Sequence, residues 1–396
     1  MNEIDPSAVS GSSCWTETEI RQQPECWIQA LNNIEILRHR IDTFLKPLLQ
    51  QPDLCIILTG AGSSAFIGES VAPWLSQYNG KDFISVPTTD IVVQPADSLS
   101  PDKPTLLISF ARSGNSPESI AAINLASQFI KQCHHLVITC NETGRLYQNT
   151  LKNNNALVLL MPPATHDRGF AMTSSFTTMM ASCLAVFAPD IINIRRFQDV
   201  ATQCQQIIST QGNLNEAVFG DLPFKRVVYL GSGALQGLAR ESALKVLELT
   251  AGKLTTFHDT PTGFRHGPKS LVNHETLVVV LISSHPYTRQ YDLDLLAELR
   301  REQQAMRIVA ICTATSPEII AGPYIQLPAS RHLIDIEQAF GFLIYAQIFA
   351  LHESIKAGIT PDTPSRSGTV NRVVQGVIIH PWRNTEDYHG EKSNRF

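Results

Sequence analysis

Short runs of Ile, Val and Leu without polar alternation recur along this chain. They occupy residues 54–58, 106–109, 136–139 and 157–161, and again 226–230, 276–282, 307–311 and 324–327. A strand with one wet face alternates polar and apolar residues, whereas a parallel strand covered on both faces does not. Helical-looking stretches separate the runs, and strand–helix alternation of this kind builds an open α/β sheet. The two sets also mirror each other. CIILTGAGSSAFIGES at 55–70 reads like VVYLGSGALQGLARES at 227–242, an offset of 171 positions from Gly60 to Gly231. LVITCN at 136–141 reads like IVAICT at 308–313, an offset of 172. Any two parallel α/β domains share apolar runs, but the shared Gly-x-Gly and Glu-Ser favour a duplicated domain.

The expectation is therefore α/β, with two tandem doubly wound parallel-sheet domains over 46–205 and 216–360. Each copy ends in a long helix, at 173–188 and 336–356. An N-terminal helical segment within 1–45 carries Trp27, Leu31, Ile34, Leu37 and Ile41 at helical spacing. A tail over 361–396 is expected to contribute to the site or to an interface. The chain's 396 residues are enough for two such cores.

Composition narrows the function. A net charge of −5 offers no basic surplus for nucleic acid or an anionic membrane. No apolar run reaches the ~18 residues a membrane span needs. Eight cysteines are scattered without a Cys-x-x-Cys pair, as in reduced, structural thiols, and the polar N-terminus lacks a signal-peptide pattern. These features predict a cytoplasmic protein. No ligand cluster stands out, so neither metal nor cofactor is expected.

Two loops concentrate anion donors. Gly60-Ala61-Gly62-Ser63-Ser64 follows a strand and opens a helix. Glycines there let the backbone pass close to an anion at a helix start, and two serines add hydroxyls. The same residues also suit a tight turn with capping serines. The second loop, Ala111-Arg112-Ser113-Gly114-Asn115-Ser116-Pro117, ends in an N-cap followed by proline at the first helical position. A plain turn explains its proline and glycine, but not Arg112 or the density of serines. Neighbouring strands place such loops side by side, where ligands bind. Ser63, Ser64, Ser113 and Ser116 are expected to converge on one phosphate, with Gly62, Arg112 and Asn115 beside it.

A third segment carries charge inside an apolar helix. Glu241, Lys245 and Glu248 stand at i, i+4 and i+7 and share a ~60° stripe, while Ala243, Leu244, Val246, Leu247 and Leu249 cover the rest. Two readings fit: a mostly buried helix with its charges in a cleft, or an ordinary surface Glu–Lys pair. His266, in Phe264-Arg265-His266-Gly267-Pro268-Lys269, is either a general acid/base fixed by a turn or a structural loop histidine.

Together GAGSS (60–64), ARSGNSPES (111–119), ESALKVLEL (241–249), FRHGPKS (264–270) and SGTVNRVVQGV (367–377) resemble the double sugar-isomerase (SIS) domain proteins. The chain is most similar to the tagatose-6-phosphate ketose/aldose isomerases and galactosamine-6-phosphate deaminases. It is also similar to the isomerase half of glucosamine-6-phosphate synthase. The resemblance covers nearly the whole chain. It implies two flavodoxin-like three-layer domains, a sugar-phosphate substrate and no cofactor. It implies phosphate binding by Ser63, Ser64, Ser113 and Ser116, with Ala111 standing where the family has a further hydroxyl and Arg112 compensating. It gives Glu248 the proton transfer between the first two sugar carbons, beside Lys245 and Glu241. It gives His266 the ring opening, lent by a neighbouring subunit in a homodimer or higher oligomer. Gly263 replaces the family's acidic residue before that histidine. Arg372 is the stand-in for a C-terminal lysine of the synthase. Fewer than about 50 residues precede the first sheet, which leaves no room for a glutamine-hydrolysing domain and favours the deaminating or purely isomerising direction.

The expected reaction is aldose–ketose isomerisation or deamination of a phosphorylated (amino) sugar, most simply galactosamine-6-phosphate to tagatose-6-phosphate plus ammonia. One rival is a non-catalytic sugar-phosphate-binding SIS protein, against which the acid–base stripe argues. The other is a nucleotide-dependent dehydrogenase, which leaves ARSGNSPES unexplained.

Overall fold

The computed structural model describes residues 14–219, 222–329, 331–374 and 376–382. Its core is a pair of all-parallel sheets. The first comprises β1 (Cys55–Thr59), β2 (Phe83–Ser85), β3 (Thr105–Ala111), β4 (Cys133–Thr139) and β5 (Ala156–Leu160) in the order β2-β1-β3-β4-β5. The second comprises β6 (Arg226–Leu230), β7 (Thr255–Asp259), β8 (Thr276–Leu281), β9 (Arg307–Cys312) and β10 (Tyr324–Gln326), in the order β10-β9-β8-β6-β7. Read from its other edge, the second sheet repeats the first strand for strand. This is the doubly wound flavodoxin-like order, and in each copy the chain reverses direction across the sheet after its second strand, which puts the switch point between the first and third strands.

The longer helices are α1 (Trp15–Arg21), α2 (Gln23–Ile36), α3 (Arg38–Leu49), α4 (Ser63–Asn79), α5 (Pro117–Phe129), α6 (Ser174–Phe187), α7 (Ile194–Val218), α8 (Ala234–Leu249), α9 (Pro286–Glu302) and α10 (Asp335–Lys356). Shorter helices are named by their residues. Strand pleating sends alternate side chains to opposite faces. Ile56, Leu58, Ile108 and Ile138 of one sheet and Val227, Tyr229, Val279 and Ile311 of the other join a single buried cluster with α2, α6, α8 and α10. Their neighbours Ile57 and Leu107 face α5 and the helix Thr88–Val93. Val228, Val278 and Val280 face α9. The two halves thus share one continuous core, each with its own outer layer. Helix α7 runs unbroken through the stretch between the two halves.

The expected strands are present. Two edge strands, β2 and β7, escaped the sequence reading. Residues 255–259, not read as a strand, form β7, paired parallel to β6 with Phe257, His258 and Asp259 half-buried. Among the described residues no helix is long and apolar enough to cross a membrane.

The halves meet where α4 crosses α8. Glu69 pairs with Arg240 at 2.5 Å, and the Arg240 guanidinium sits 4.3 Å from the Phe66 ring centre. Glu69 and Arg240 are 171 positions apart, like the two glycine turns, so equivalent positions touch at the crossing. Gly237 makes the approach possible: a Cβ there would lie 2.5 Å from Ser70 Oγ and 2.7 Å from Ser70 N. In an open helix Gly→Ala stabilises by about 1 kcal/mol. Here backbone stands in the way, so Gly237→Ala should instead cost about 1–3 kcal/mol through overpacking. Equilibrium denaturation of the variant checks this, and a stability gain would refute the close crossing.

Candidate active site

The first anion loop forms as β1 turns into α4. Gly62 takes φ +58° and ψ −130°, open to glycine, and its counterpart Gly233 takes φ +58° and ψ −125°. That turn places Ser63 and Ser64 in the first turn of α4, both 5% exposed. The Ser64 hydroxyl points to Met172 Sδ at 3.7 Å. The second loop follows β3, the strand next to β1, so both loops flank the crevice where the winding reverses. Within it Gly114 is left-handed, and Ser113 Oγ accepts from Asn115 N at 3.3 Å. Asn115 Oδ1 accepts from Arg145 N at 3.0 Å. Ser116 begins α5, its hydroxyl 2.6 Å from that of Ser119.

The charged stripe is buried, as one of its two readings required. Lys245 and Glu241 side chains are 1% and 0% exposed, and Glu248 keeps 25%. Lys245 Nζ lies 2.7 Å from Glu248 Oε2 and 3.3 Å from Glu241 Oε1, and donates to Ser63 Oγ at 3.0 Å. The second half's helix thus delivers its ammonium to the first half's glycine turn. Burial pushes Glu241 up to about 7, with Lys245 opposing and Glu248 adding to the rise. For Lys245 burial works against the charge, but the two carboxylates outweigh it and hold the ammonium above its ordinary range.

Glu248 opens on a cavity of about 770 Å³, walled by Phe170, Leu247 and Lys253 and, from the tail, by Ser365, Ser367 and Val370. Arg112, 7% exposed, donates to Phe170 O at 3.0 Å and to Arg372 O at 2.7 Å. Arg372 donates to Asp167 O. Burial first, and then the Arg372 charge, lowers the Arg112 pKa. Sequence reasoning singled out both arginines without pairing them. It missed their platform, the loop His166–Phe170. The Asp167 carboxylate accepts from Thr173 N, Ser175 N and Ser175 Oγ at 2.9, 2.9 and 2.5 Å, which fixes the start of α6. Glu19 of α1 accepts from Arg168 N and Gly169 N. Asp362 ties the tail to α1, accepting from Trp15 N and Thr16 N at 2.8 Å each. Only the run His166-Asp167-Arg168-Gly169 after Pro162-Pro163 could have hinted at this loop.

His266 is exposed, on a turn whose neighbours Arg265 and Lys269 pair with Glu298 of α9. Among the described contacts none joins it to Lys245 or Glu248. Among the described residues no group of three or more His, Cys, Asp or Glu side chains is placed to hold a metal ion.

Residues 48–189 and 223–357 each match the SIS domain, so the chain belongs to the SIS domain family. It is 66% identical to the D-galactosamine-6-phosphate deaminase AgaS of Escherichia coli over 383 residues, 97% of this chain and 100% of that one. The crystal structure of tagatose-6-phosphate ketose/aldose isomerase from Escherichia coli superposes with a TM-score of 0.89 at 62% identity, covering 96% of this chain and 99% of that one. A glutamine–fructose-6-phosphate aminotransferase of Pyrobaculum aerophilum is 25% identical over 357 residues, 87% of this chain but 55% of its own length.

The buried carboxylate under the loop 166–170 gives a stability test. Burial, and then the Asp167 charge, raise Glu19 from 4.5 to about 7. Between those values the folded protein holds a proton that the unfolded chain releases. Its contribution is therefore full below about 4.5 and lost as pH rises through about 7. Glu19→Gln keeps an acceptor for both amides but cannot ionise. Its melting temperature should gain on the parent's as pH rises from 5 to 8. A flat difference across that range refutes the buried proton.

Proposed function

We propose that this SIS-family chain is a sugar-phosphate enzyme that converts D-galactosamine-6-phosphate to the corresponding ketose phosphate and ammonia. The observation that carries the reading is the Lys245 cluster. A fully buried ammonium touches a partly open carboxylate, Glu248, and the hydroxyl of a glycine-turn serine, Ser63. The names and extent of the close relatives support the substrate.

In the opened sugar, Glu248 takes the proton from the second carbon. The electron pair moves toward the aldehyde oxygen, where the Lys245 charge stabilises the enediol-like species. Glu248 returns the proton to the first carbon, and a second proton passes from the amine to the first oxygen, leaving a ketimine at the second carbon. Water adds there and ammonia leaves, so the ketose phosphate remains. One carboxylate serves both proton steps because it is partly buried and held beside a cation. Glu241 keeps that cation charged and in place. Ser63 accepts from Lys245, which ties the first turn of α4 to the proton-transfer cluster. Ser64, Ser113 and Ser116 add hydroxyls, Gly62 lets the phosphate approach the helix start, and Arg112 and Asn115 flank it. Arg372 closes the site from the tail. The phosphate is remote from the reacting carbons and serves to position them.

Without nitrogen the same proton shift interconverts tagatose-6-phosphate with its aldose, the second reading, which the named structural relative favours. Parallel assays of ammonia and ketose on galactosamine-6-phosphate, glucosamine-6-phosphate and tagatose-6-phosphate separate the two. Ammonia from the first substrate is the expected result. Isomerisation of tagatose-6-phosphate without any ammonia would replace deamination. Binding without turnover would leave a sensor.

Glu248→Gln should lower kcat by about 10²–10⁴-fold while the protein stays folded. Near-normal kcat would move the base elsewhere. Ser113→Ala should act mainly on KM, because it removes positioning. Unchanged KM with a bound phosphate located elsewhere refutes the loop assignment.

His266 is exposed and none of the described contacts joins it to Lys245 or Glu248, while Glu248 opens beside the exposed Leu247 and Val370. These features fit a homodimer or larger oligomer in which His266 completes a neighbour's site and opens the sugar ring. Mixing inactive Glu248→Gln with inactive His266→Ala subunits should restore activity, since some mixed sites hold both native residues. If the subunits exchange and the mixture stays inactive, His266 serves its own chain.

A further inference from the structure

The second half builds the same crevice and treats it in the opposite way. Its glycine turn, Gly231-Ser232-Gly233, leads into Ala234 and Leu235, where the first half has Ser63 and Ser64. Its second loop is Ser283-Ser284-His285, just before α9. The donors of both loops are already taken by carboxylates. Asp292, fully buried, accepts from Ser232 Oγ at 2.6 Å and from Ser283 N at 2.9 Å. Asp335 accepts from Ser283 Oγ at 2.6 Å and from Ser284 N and Oγ at 2.6 and 2.8 Å. A phosphate would meet two carboxylates there, whereas the described hydrogen bonds of Ser64, Ser113 and Ser116 in the first half go to no carboxylate. Among the described residues neither carboxylate has a salt-bridge partner; Arg289 nearby spends its guanidinium on Ser283 O and Ala314 O.

Above these loops lies a cavity of about 620 Å³, within the range of small-molecule sites. Its floor includes Asp335 and its rim His285 and His332. Its wall comes from the first half: Trp74, Gln77 and Tyr78 of α4, with the two aromatic rings stacked 5.2 Å apart at 13°. An aromatic face, a carboxylate without a cation, an amide and two imidazoles together suit a polyhydroxylated ring that carries positive charge. The ring's C–H face lies on the indole, the ammonium is drawn by Asp335 and the π-faces, and the hydroxyls meet the amide and imidazoles.

We propose that the crevice of the second half, between α4 and the loops after β6 and β8, is a separate binding site for an unphosphorylated hexosamine. It shares no residue with the Lys245 cluster, so the proposal stands apart from the catalytic reading. A sugar held there touches both α4 and α9 and bridges the two halves beside the α4–α8 crossing.

The test uses the full-length Glu248→Gln protein, in which turnover does not obscure binding. Galactosamine, galactose and inorganic phosphate are titrated by calorimetry, with indole fluorescence as a second readout. Galactosamine should bind at millimolar concentration or tighter, galactose several-fold more weakly, and saturating galactosamine-6-phosphate should leave galactosamine binding in place. His332→Ala, at an exposed position, should weaken galactosamine at least about fivefold without changing the melting temperature, and Trp74→Leu, half-buried against the core, should weaken it at least as much in protein that still unfolds cooperatively. Asp335→Asn should do the same if it folds. The proposal fails if galactosamine does not bind at 10 mM, in order of magnitude the weakest specific affinity worth a site. It fails equally if the sugar phosphate displaces galactosamine, if inorganic phosphate binds in its place, or if Trp74→Leu and His332→Ala leave its affinity unchanged.

Discussion

A lysine fully withdrawn from water organises this molecule. Lys245 sits on α8 of the second half, and its partners are Glu241 and Glu248 on the same helix and Ser63 in the first turn of α4. Removing an ammonium from water costs several kcal/mol, which only close, well-placed partners offset. Two of the partners come with the helix itself, at i−4 and i+3. The third must come from the other half of the chain. The burial is therefore sustained only when α4 and α8 cross closely and in register. The Gly237–Ser70 contact and the Glu69–Arg240 pair lie on that same crossing. Placement of the Lys245 cluster and docking of the two halves are, in this protein, one packing problem.

Duplication explains why the crossing works, and divergence explains what it does. Equivalent residues of the two copies meet at its centre, so a contact between α4 and α8 is nearly a contact of one surface with itself. Away from the crossing the copies part. The first pairs Ser64, Ser113 and Ser116 with a thioether, an amide and another hydroxyl rather than with a carboxylate. The second spends Ser232, Ser283 and Ser284 on Asp292 and Asp335. Burial pushes Asp292 up to about 6, a cost the second copy carries to hold its loops without a ligand. The same backbone turn is thus followed by Ser63 and Ser64 in one half, where the proposed function puts the phosphate, and is tied by carboxylates from within in the other.

Much of this was legible in the sequence, and the limits have physical causes. The buried strands were readable because a strand covered on both faces must be apolar throughout. β2 and β7 were not, since a short edge strand with half-exposed residues carries no such demand. Glu241, Lys245 and Glu248 could be set on one stripe by helical geometry alone. Their burial could not, because whether a stripe faces water or a partner depends on what packs there. The loop 166–170 was invisible for a related reason. Glu19 holds it from 149 and 150 positions away along the chain, and Asp362 ties the tail to α1 across 346 and 347. No local pattern encodes pairs so distant. The resemblance to SIS proteins supplied roles for residues whose surroundings the sequence left open, His266 and Arg372 above all.

The two arginines show how a chain of net charge −5 can still favour an anion. Arg112 and Arg372 lie close enough for the charge of one to lower the pKa of the other. Yet their described hydrogen bonds go to main-chain carbonyls of Phe170, Arg372 and Asp167, which orient the guanidinium groups without neutralising them. Arg372 Nε has no hydrogen-bond partner despite being buried. Asp167, the nearest carboxylate in sequence to this platform, is committed to the start of α6. Positive charge is thereby concentrated beside the serine loops and held there by backbone. On the function proposed above, a phosphate bound at the serine loops faces this positive charge, and the tail already rests, through Arg372, on the platform that carries Phe170 beside the cavity of Glu248.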